Sequence, residues 1–411
     1  MATVALLGAL DTKGDEYAFL RDRVIEAGSN VIMINAGVFA DPDYPVAFDR
    51  RSVAAEAGAD IDAVVASRDR GAAMVTMADG ASGVVRRLYD EGSIHGILGM
   101  GGSGGSSVIS AAMRGLPIGF PKVLVSTMGA GDVSAFVGTS DIAMMYSVVD
   151  IAGINAVTSR ILGNAAAAVA AMADTYSARV DSDGGRPLVG ATMYGTTTPC
   201  VDRARATLET LGYEVLVFHA TGTGGRSMEA LVGSGYITAV LDVTTTELAD
   251  EVAGGTLTAG PDRLEAAGLL GLPQVVSVGA VDQITFTPQA AVPAEYRDRN
   301  VYHHNPSIAL VRTNAEECAE LGRRIAGKLN RAKGPVSIFV PLRGSSSYAV
   351  DGAVFHDPEA DAALVESLRA HLGPSVELVE MDTDINDPVF ADAMARRLDE
   401  HYRAWSGHRR S

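Results

Sequence analysis

The sequence predicts an α/β fold of two doubly wound domains with mainly parallel sheets. Short apolar runs alternate with amphipathic stretches along the whole chain, which is the pattern of βαβ units. The chain has 411 residues, 47% of them hydrophobic, and 45 glycines punctuate the apolar runs. Because a domain typically has about 100–200 residues, this length favours two cores. Each half is therefore expected to be Rossmann-like.

The N-terminal half is predicted to form one domain over residues 1–180. Strands are expected at residues 4–8, 31–35, 96–100 and 122–126. Helices are expected at residues 15–27, 106–114 and 151–176. The polar turn residues of the segment 177–187 then mark the domain boundary.

The C-terminal half repeats this rhythm over residues 187–403. Strands are expected at residues 188–193, 214–218, 239–243, 274–278, 307–312 and 336–340. Helices separate most of these strands, so a second, mainly parallel sheet is expected. Residues 404–411 are expected to form a flexible tail.

The composition disfavours some binding partners and indicates a cellular location. The formal net charge is −17, so long-range repulsion disfavours nucleic acid and anionic lipid. No run approaches the roughly 18 apolar residues of a membrane span, and the apolar start lacks the basic flank of a signal peptide. Cys200 and Cys318 are the two cysteines, which argues against a disulfide framework. We expect a cytoplasmic protein.

Five glycines follow the third predicted strand directly: Gly99, Gly101, Gly102, Gly104 and Gly105. Ser103 lies among them, and Ser106 is expected to begin the next helix. Glycine lets backbone N–H groups approach an anion, and a helix N-terminus adds about half a positive charge. The turn is therefore predicted to hold a phosphate. The alternative is that these glycines only allow a tight turn and close packing of the helix on the strand.

Two familiar phosphate-binding motifs are disfavoured for this turn. Its Gly-x-Gly-x-x-Gly spacing matches the dinucleotide fingerprint, but that fingerprint needs an acidic residue about 20 positions later. Residues 92–131 contain no Asp or Glu, so ordinary NAD binding is not expected. The Gly-Lys-Ser/Thr end of a P-loop is also absent. A segment without carboxylates nevertheless suits an anionic ligand.

Two further segments follow strands of the same predicted sheet and should meet the glycine turn at its carboxyl edge. They supply the candidate cofactor-binding residues Gly8, Asp11, Thr12 and Lys13, and then Ser126, Thr127, Gly129, Gly131 and Asp132. Lys13 suits a terminal phosphate, and Asp11 and Asp132 suit Mg²⁺. The alternatives are a helix-start ion pair for Lys13 and turn or cap roles for the carboxylates.

The second half carries another glycine turn, at residues 222–225, which is a second candidate anion site. His219 precedes it at a strand end. Cys200 lies at a predicted helix start, whose dipole would lower the thiol pKa, and Asp242 ends another strand. His219, Cys200 and Asp242 are the candidate catalytic residues. Ordinary packing or structural roles are the alternative for each of them.

Several segments together resemble one known family, the ATP-binding domain of the plant tobamovirus-resistance protein and its uncharacterised bacterial homologues. They are residues 8–16, 99–107, 121–132, 190–201, 218–229, 242–250, 277–282, 304–306, 312–313 and 357–361. The resemblance covers nearly the whole chain. It implies two Rossmann-like domains, bound ATP and Mg²⁺, and a homodimer.

Three hypotheses about function follow. The first is an ATP-binding protein that couples the nucleotide to small-molecule metabolism. The second is an enzyme that acts on a carboxylate or acyl substrate in an interdomain cleft, with His219, Cys200 or Asp242 as the catalytic residue. The third is a protein-interaction module that ATP stabilises. The glycine turn after the third strand favours the first.

Overall fold

The structure is a computed structural model that describes residues 1–178, 185–288 and 292–410. The chain forms two compact units, Met1–Asp183 and Gly184–Ser411. The boundary segment predicted at residues 177–187 falls between them, and its residues 179–184 lie outside the described part. Each unit is presented by itself.

The first unit alternates strands and helices. Its strands are β1 (Thr3–Gly8), β2 (Asn30–Asn35), β3 (Gly96–Gly101), β4 (Lys122–Ser126) and β5 (Ala143–Tyr146). Its helices are α1 (Leu10–Glu26), α2 (Arg50–Glu56), α3 (Ile61–Ser67), α4 (Arg70–Asp90), α5 (Ser103–Arg114), α6 (Ser134–Val137) and α7 (Thr158–Ser177).

The five strands form one parallel sheet in the order β2-β1-β3-β4-β5. The chain passes from β1 outward to β2 and then returns to place β3 on the other side of β1. Strand order therefore reverses between β1 and β3. In open α/β sheets this reversal opens a crevice at the carboxyl ends of the two strands, where ligands bind.

Both faces of this sheet are covered, which explains why its strands are apolar throughout. Alternate residues of β1 point to opposite faces: Val4 and Leu6 pack with α1 and α7, whereas Ala5 and Leu7 pack with α2, α4 and α5. The sheet is thus doubly wound, as the sequence predicts.

The second unit is larger. Its strands are β6 (Leu188–Met193), β7 (Glu214–His219), β8 (Ala239–Thr244), β9 (Gln274–Gly279), β10 (Gln283–Phe286), β11 (Val301–Asn305), β12 (Ile308–Arg312), β13 (Val336–Pro341) and β14 (Glu377–Met381). Its helices are α8 (Thr198–Thr210), α9 (Thr223–Gly233), α10 (Thr246–Ala253), α11 (Ala266–Leu269), α12 (Ala315–Leu329), α13 (Pro358–His371) and α14 (Pro388–Arg410). Short 3₁₀ turns cover Gly195–Thr197 and Ala294–Tyr296.

Six of these strands form a parallel sheet in the order β14-β13-β9-β8-β6-β7. Read from β7, this order repeats that of the first unit, with one strand added. Helices α8 and α14 cover one face, and α10, α12 and α13 lie on the other. A separate three-stranded antiparallel sheet, β10-β12-β11, is inserted between β9 and β13.

Several details differ from the sequence-based expectation. The strand expected at residues 307–312 is present as β12, but it is antiparallel and belongs to the inserted sheet. Strands β5, β10, β11 and β14 were not predicted, because they are short or carry polar residues. The tail expected from residue 404 is instead the last part of α14, where the Trp405 ring lies 5.7 Å from that of Tyr402.

No described helix combines the length and the apolar character that a membrane span requires.

One buried carboxylate joins the inserted sheet to α10. Asp250 accepts hydrogen bonds of 2.7 Å from the backbone N–H groups of Thr285 and of Leu257. Burial raises the pKa of Asp250 to about 7, although these two bonds oppose the shift. The carboxylate therefore holds β10 and the chain after α10 together in a place where its charge is poorly solvated.

We expect Asp250 to make the second unit less stable as pH rises. An aspartate in the unfolded chain titrates near pH 4, so between about pH 4 and pH 7 the unfolded state releases a proton that the folded state keeps. Stability is then lost through this window. Urea unfolding across it should show that Asp250→Asn gains free energy of unfolding relative to the wild type as pH rises. Parallel pH profiles for the two proteins would contradict this assignment.

Candidate functional site

The first unit contains a cavity of about 550 Å³ at the reversal between β1 and β3. It is bounded by the chain after β1, the chain after β2, the facing ends of α3 and α4, and the start of α5. Its lining comprises Gly8, Ala9, Asp11, Thr12, Ala36, Gly37, Val38, Phe39, Val64, Val65, Arg68, Asp69, Arg70, Ala73, Met74, Met77, Gly104, Gly105, Val108 and Ile109. This volume is in the range of small-molecule sites, about 300–1,000 Å³. We call this space the switch cavity.

One end of the switch cavity is formed by the N-terminus of α5. The helix begins at Ser103, three residues earlier than predicted, and Gly102 makes no side-chain capping bond. The first intrahelical bond runs from Ser106 N to Gly102 O at 2.8 Å. The N–H groups of Ser103, Gly104 and Gly105 therefore have no partner in the helix. They form the positive end of the helix dipole beside the cavity.

Arg70 lies beside this helix start. A Cβ atom placed on Gly104 would be 3.8 Å from Arg70 Nη2. Among the residues that the structure describes, the side chains of Arg70 and Arg68 make neither a hydrogen bond nor an ion pair. In a chain with 24 salt bridges between described residues, a cation left unpaired at a cavity mouth is available to an anion.

The rest of the switch cavity is mainly apolar. Met74 and Met77 contribute from α4, Val64 and Val65 from α3, and Val108 from α5. Met74 reaches the helix start, since its Cε lies 3.4 Å from the Cβ position of Gly104. The cavity thus pairs one cationic end with an apolar body.

Asp11 lines the cavity but acts on the protein itself. Its Oδ2 accepts backbone hydrogen bonds of 2.9 Å from Val38 and from Phe39, which hold the chain after β2. Its Oδ1 is buried without a hydrogen-bond partner in the described chain, next to Gly37. With both oxygens turned toward the protein, Asp11 fits a loop-holding role better than that of a direct Mg²⁺ ligand.

Three of the predicted phosphate glycines serve packing. A Cβ on Gly8 would lie 1.9 Å from Tyr17 Oη, and a Cβ on Gly99 would lie 2.5 Å from Ile109 Cγ2. A Cβ on Gly101 would come within 3.0 Å of Gly105 Cα. The predicted alternative of close helix-to-strand packing therefore holds for these positions. Gly104 and Gly105 line the switch cavity, and Gly8 lines it as well.

Thr12 lines the switch cavity, whereas the other predicted hydroxyl and loop residues do not. Ser106 and Ser126 are buried and bonded to each other, with their Oγ atoms 2.7 Å apart, which ties α5 to β4. Lys13 Nζ donates to Ile151 O. Thr127 N donates to Gly101 O at 3.2 Å.

The remaining predicted residues belong to the loop after β4. A Cβ on Gly129 would meet Tyr146 Cα at 3.0 Å, and Gly131 is exposed. Asp132 is exposed and accepts a bond from Ser134 N at 2.9 Å, the turn role weighed above. No three His, Cys, Asp or Glu side chains of the described residues come together as a metal site.

The second glycine turn already holds an anion, and that anion belongs to the protein. Gly222 N and Gly225 N donate to Glu247 Oε1 at 2.7 and 3.0 Å. A Cβ on Gly225 would lie 2.1 Å from Glu247 Oε2. The turn is therefore an anion-binding loop, as its sequence suggests, but Glu247 occupies it.

Glu247 belongs to a buried network around Arg263. Arg263 is 1% exposed and binds Asp242 with both terminal nitrogens, at 2.5 and 2.7 Å. Its Nε donates to Glu247 at 2.6 Å, and Glu229 lies 3.5 Å away. The carboxylates raise the pKa of Arg263 well above its usual value. Asp242 is thus committed to an ion pair and is not a free base.

The structure does not bring the three predicted catalytic residues together. Cys200 is fully buried in the core between the sheet and α8. Burial raises its pKa to about 12, which opposes the expected helix-dipole effect and gives a thiol rather than a thiolate. His219 is exposed at the end of β7, with its ring 5.5 Å from that of Tyr194. Neither Cys200 nor Asp242 is placed for catalysis.

Sequence reasoning missed Arg68, Arg70 and Met74. The signal was nevertheless present, because Asp69 precedes a helical stretch and caps it by accepting a bond from Ala72 N at 3.0 Å. A helix that leads into β3 must begin at the carboxyl edge of the sheet, beside the glycine turn. Placing α4 on the same face as α5 required the tertiary structure.

Family comparisons agree with the division into two units. Residues 2–178 match the N-terminal domain, and residues 186–402 the C-terminal domain, of the uncharacterised protein family UPF0261. This chain belongs to the UPF0261 family. It is 48% identical over 396 residues to a UPF0261 protein of Clostridium tetani, covering 96% of this chain and 98% of that one.

The predicted resemblance to the plant family is confirmed as well. The UPF0261 chain is 38% identical over 420 residues to the ToMV resistance protein Tm-1(GCR237) of Solanum lycopersicum. That match covers 95% of this chain and 54% of the tomato protein. A UPF0261 protein of Mesorhizobium japonicum is 41% identical, with 97% and 99% of the two chains covered.

The two kinds of glycine in the first unit should respond differently to alanine. Gly99→Ala places a methyl group against Ile109 and 2.8 Å from the Leu7 carbonyl oxygen, so we expect the free energy of unfolding to fall by about 1–3 kcal/mol. Gly105→Ala meets nothing nearer than 3.9 Å. It should leave stability unchanged or raise it by up to about 1 kcal/mol. Chemical denaturation of both variants measures this, and equal effects would refute the distinction.

Removing the central guanidinium should destabilise the second unit strongly. Arg263→Met leaves buried carboxylates without their cation, so we expect a loss of about 3–5 kcal/mol in free energy of unfolding. The control is Arg203→Met, which breaks the more exposed Arg203–Asp392 pair and should change the free energy of unfolding far less than Arg263→Met does. Similar losses in the two variants would mean that the buried network contributes no more than a surface pair.

Proposed function

We propose that the first unit of this UPF0261 protein binds a nucleotide of the ATP class in the switch cavity. The phosphates would lie at the N-terminus of α5, beside Arg70, and the base would enter the apolar part. The observation that carries the proposal is the coincidence of three features in one space: a small-molecule-sized cavity, unbonded helix N–H groups and an unpaired guanidinium.

Charge supports an anionic ligand at this place. The chain as a whole is strongly acidic, yet the N-terminus of α5 carries no acidic residue in its first turn. A helix N-terminus and an arginine together offer charge-assisted hydrogen bonds to a phosphate. Such bonds are stronger than those between neutral groups, typically about 1.5–3 kcal/mol each.

The second unit supports the same interpretation by contrast. There a glycine turn before α9 also presents N–H groups, and the Glu247 carboxylate accepts both from them and from Arg263 inside the protein. Among the residues that the structure describes, no carboxylate accepts a hydrogen bond from the glycine turn before α5. An external anion would complete the first site as Glu247 completes the second.

The identification of the anion as ATP rests on family resemblance, because the residues by themselves support a phosphate with an apolar body. Magnesium rests on the same resemblance, since Asp11 and Asp132 are both engaged by the protein. We therefore assign no role to a metal ion. No observation favours the alternative enzyme, whose candidate residues are buried, paired or isolated.

Arg70→Gln tests the proposal. Arg70 has no partner among the described residues, so its loss should not affect folding, whereas the affinity for ATP should fall by about tenfold to a hundredfold. Titration calorimetry with ATP and MgCl₂ measures this.

Arg86→Gln, on the exposed side of the same helix and paired with Asp90, is the matched control and should bind as the wild type does. Wild-type protein that is folded but binds no ATP at millimolar concentration would refute the proposal. Equal affinity of the Arg70 and Arg86 variants would refute the assignment of the phosphate site.

A further inference from the structure

We infer that the switch cavity holds a purine nucleotide without distinguishing adenine from guanine. This inference rests on the proposed function, since it concerns how that same site treats the base. It follows from the polar groups of the chain after β2 and of Thr12 and Asp69, which form hydrogen bonds within the protein.

The chain after β2 illustrates this. Gly37 N donates to Asn35 Oδ1 at 2.8 Å, and the N–H groups of Val38 and Phe39 are both given to Asp11. The Val38 carbonyl oxygen accepts from Arg50 Nη1 at 2.7 Å. A loop of this kind would ordinarily read the edge of a base through its backbone, but here these groups are used to hold the loop itself.

The polar side chains of the lining are committed in the same way. Thr12 Oγ1 donates to Ala9 O at 3.4 Å, and Asp69 Oδ1 accepts from Ala72 N as the cap of α4. The guanidinium groups of Arg68 and Arg70 have no partner among the described residues, but both side chains are exposed, and the proposed function uses Arg70 for the phosphates. Asp11 Oδ1 also has no partner in the described chain, but it is buried beside Gly37.

What remains to meet the base is apolar contact. Met74, Met77 and the valines of α3 and α5 line this part, and methionine adapts its shape to different flat partners. Adenine and guanine share the purine ring and differ in the donors and acceptors at its edge. A site that reads those edges rejects the wrong base by large factors, whereas a site that contacts only the ring accepts both.

Calorimetry with the full chain and three probes tests this: ATP, GTP and inorganic triphosphate. We expect the dissociation constants of ATP and GTP to agree within about threefold, because apolar contact with the purine ring does not depend on the donors and acceptors at its edge. Met74→Ala should weaken both nucleotides by a similar factor, on the order of tenfold. It should weaken triphosphate by less, because triphosphate would meet only the end of this side chain at the start of α5. Met74→Leu, which keeps the apolar contact, should restore most of the affinity and shows that the fold is intact.

The outcomes separate this inference from the proposed function. A preference of more than about a hundredfold for one purine would overturn the inference and leave nucleotide binding standing. If Asp11→Asn abolished such a preference, Asp11 Oδ1 would be the base-reading atom. Equal weakening of triphosphate by Met74→Ala would also overturn it. Failure of ATP, GTP and triphosphate alike to bind folded protein would instead refute the proposed function.

Discussion

The parallel sheets place the positive ends of the helix dipoles at one edge, the carboxyl edge of the strands. Each connecting helix returns against the direction of the strands, so helix N-termini collect at the carboxyl edge with their first N–H groups unbonded. Those groups need acceptors. Asp69 caps α4, Asn314 caps α12 and Asp357 caps α13, whereas α5 receives no side-chain cap, and neither do α1, α7, α8 and α10. The start of α5 is the uncapped one that lies beside Arg70 at the switch cavity, where we propose that a ligand binds.

The two units have similar strand orders but differ in what lies near the N–H groups of their glycine turns. In the second, Arg263 gathers Asp242 and Glu247, and the carboxylate of Glu247 fills the glycine turn before α9. In the first, the corresponding edge opens into the switch cavity, and Arg70 stays unpaired. In the second unit the charged groups pair with one another inside the protein. In the first unit the guanidinium of Arg70 has no partner among the described residues.

The sequence predicted much of the fold, because apolar runs and their spacing report burial directly. Strands β1, β2, β3 and β4 and their counterparts in the second unit lie within a residue or so of the predicted ranges. The site was predicted only in part. Gly8, Gly104 and Gly105 line the cavity. Gly99 does not, and at Gly8 and Gly99 a Cβ atom would also collide with Tyr17 and Ile109 respectively. A glycine in sequence indicates that a side chain is excluded, without indicating what excludes it.

By itself the sequence determined two doubly wound units, a glycine-rich turn in a segment without carboxylates, and membership of a family. These are properties of local pattern and composition. The tertiary structure decided which glycine turn binds a carboxylate of the protein itself. Glu247 lies 22 residues after Gly225 in the sequence, and Arg263 lies 16 residues after Glu247. The tertiary structure also placed Arg70 beside Gly104 and buried Cys200. Each of these depends on which helices share a face, and that is set by packing between distant segments.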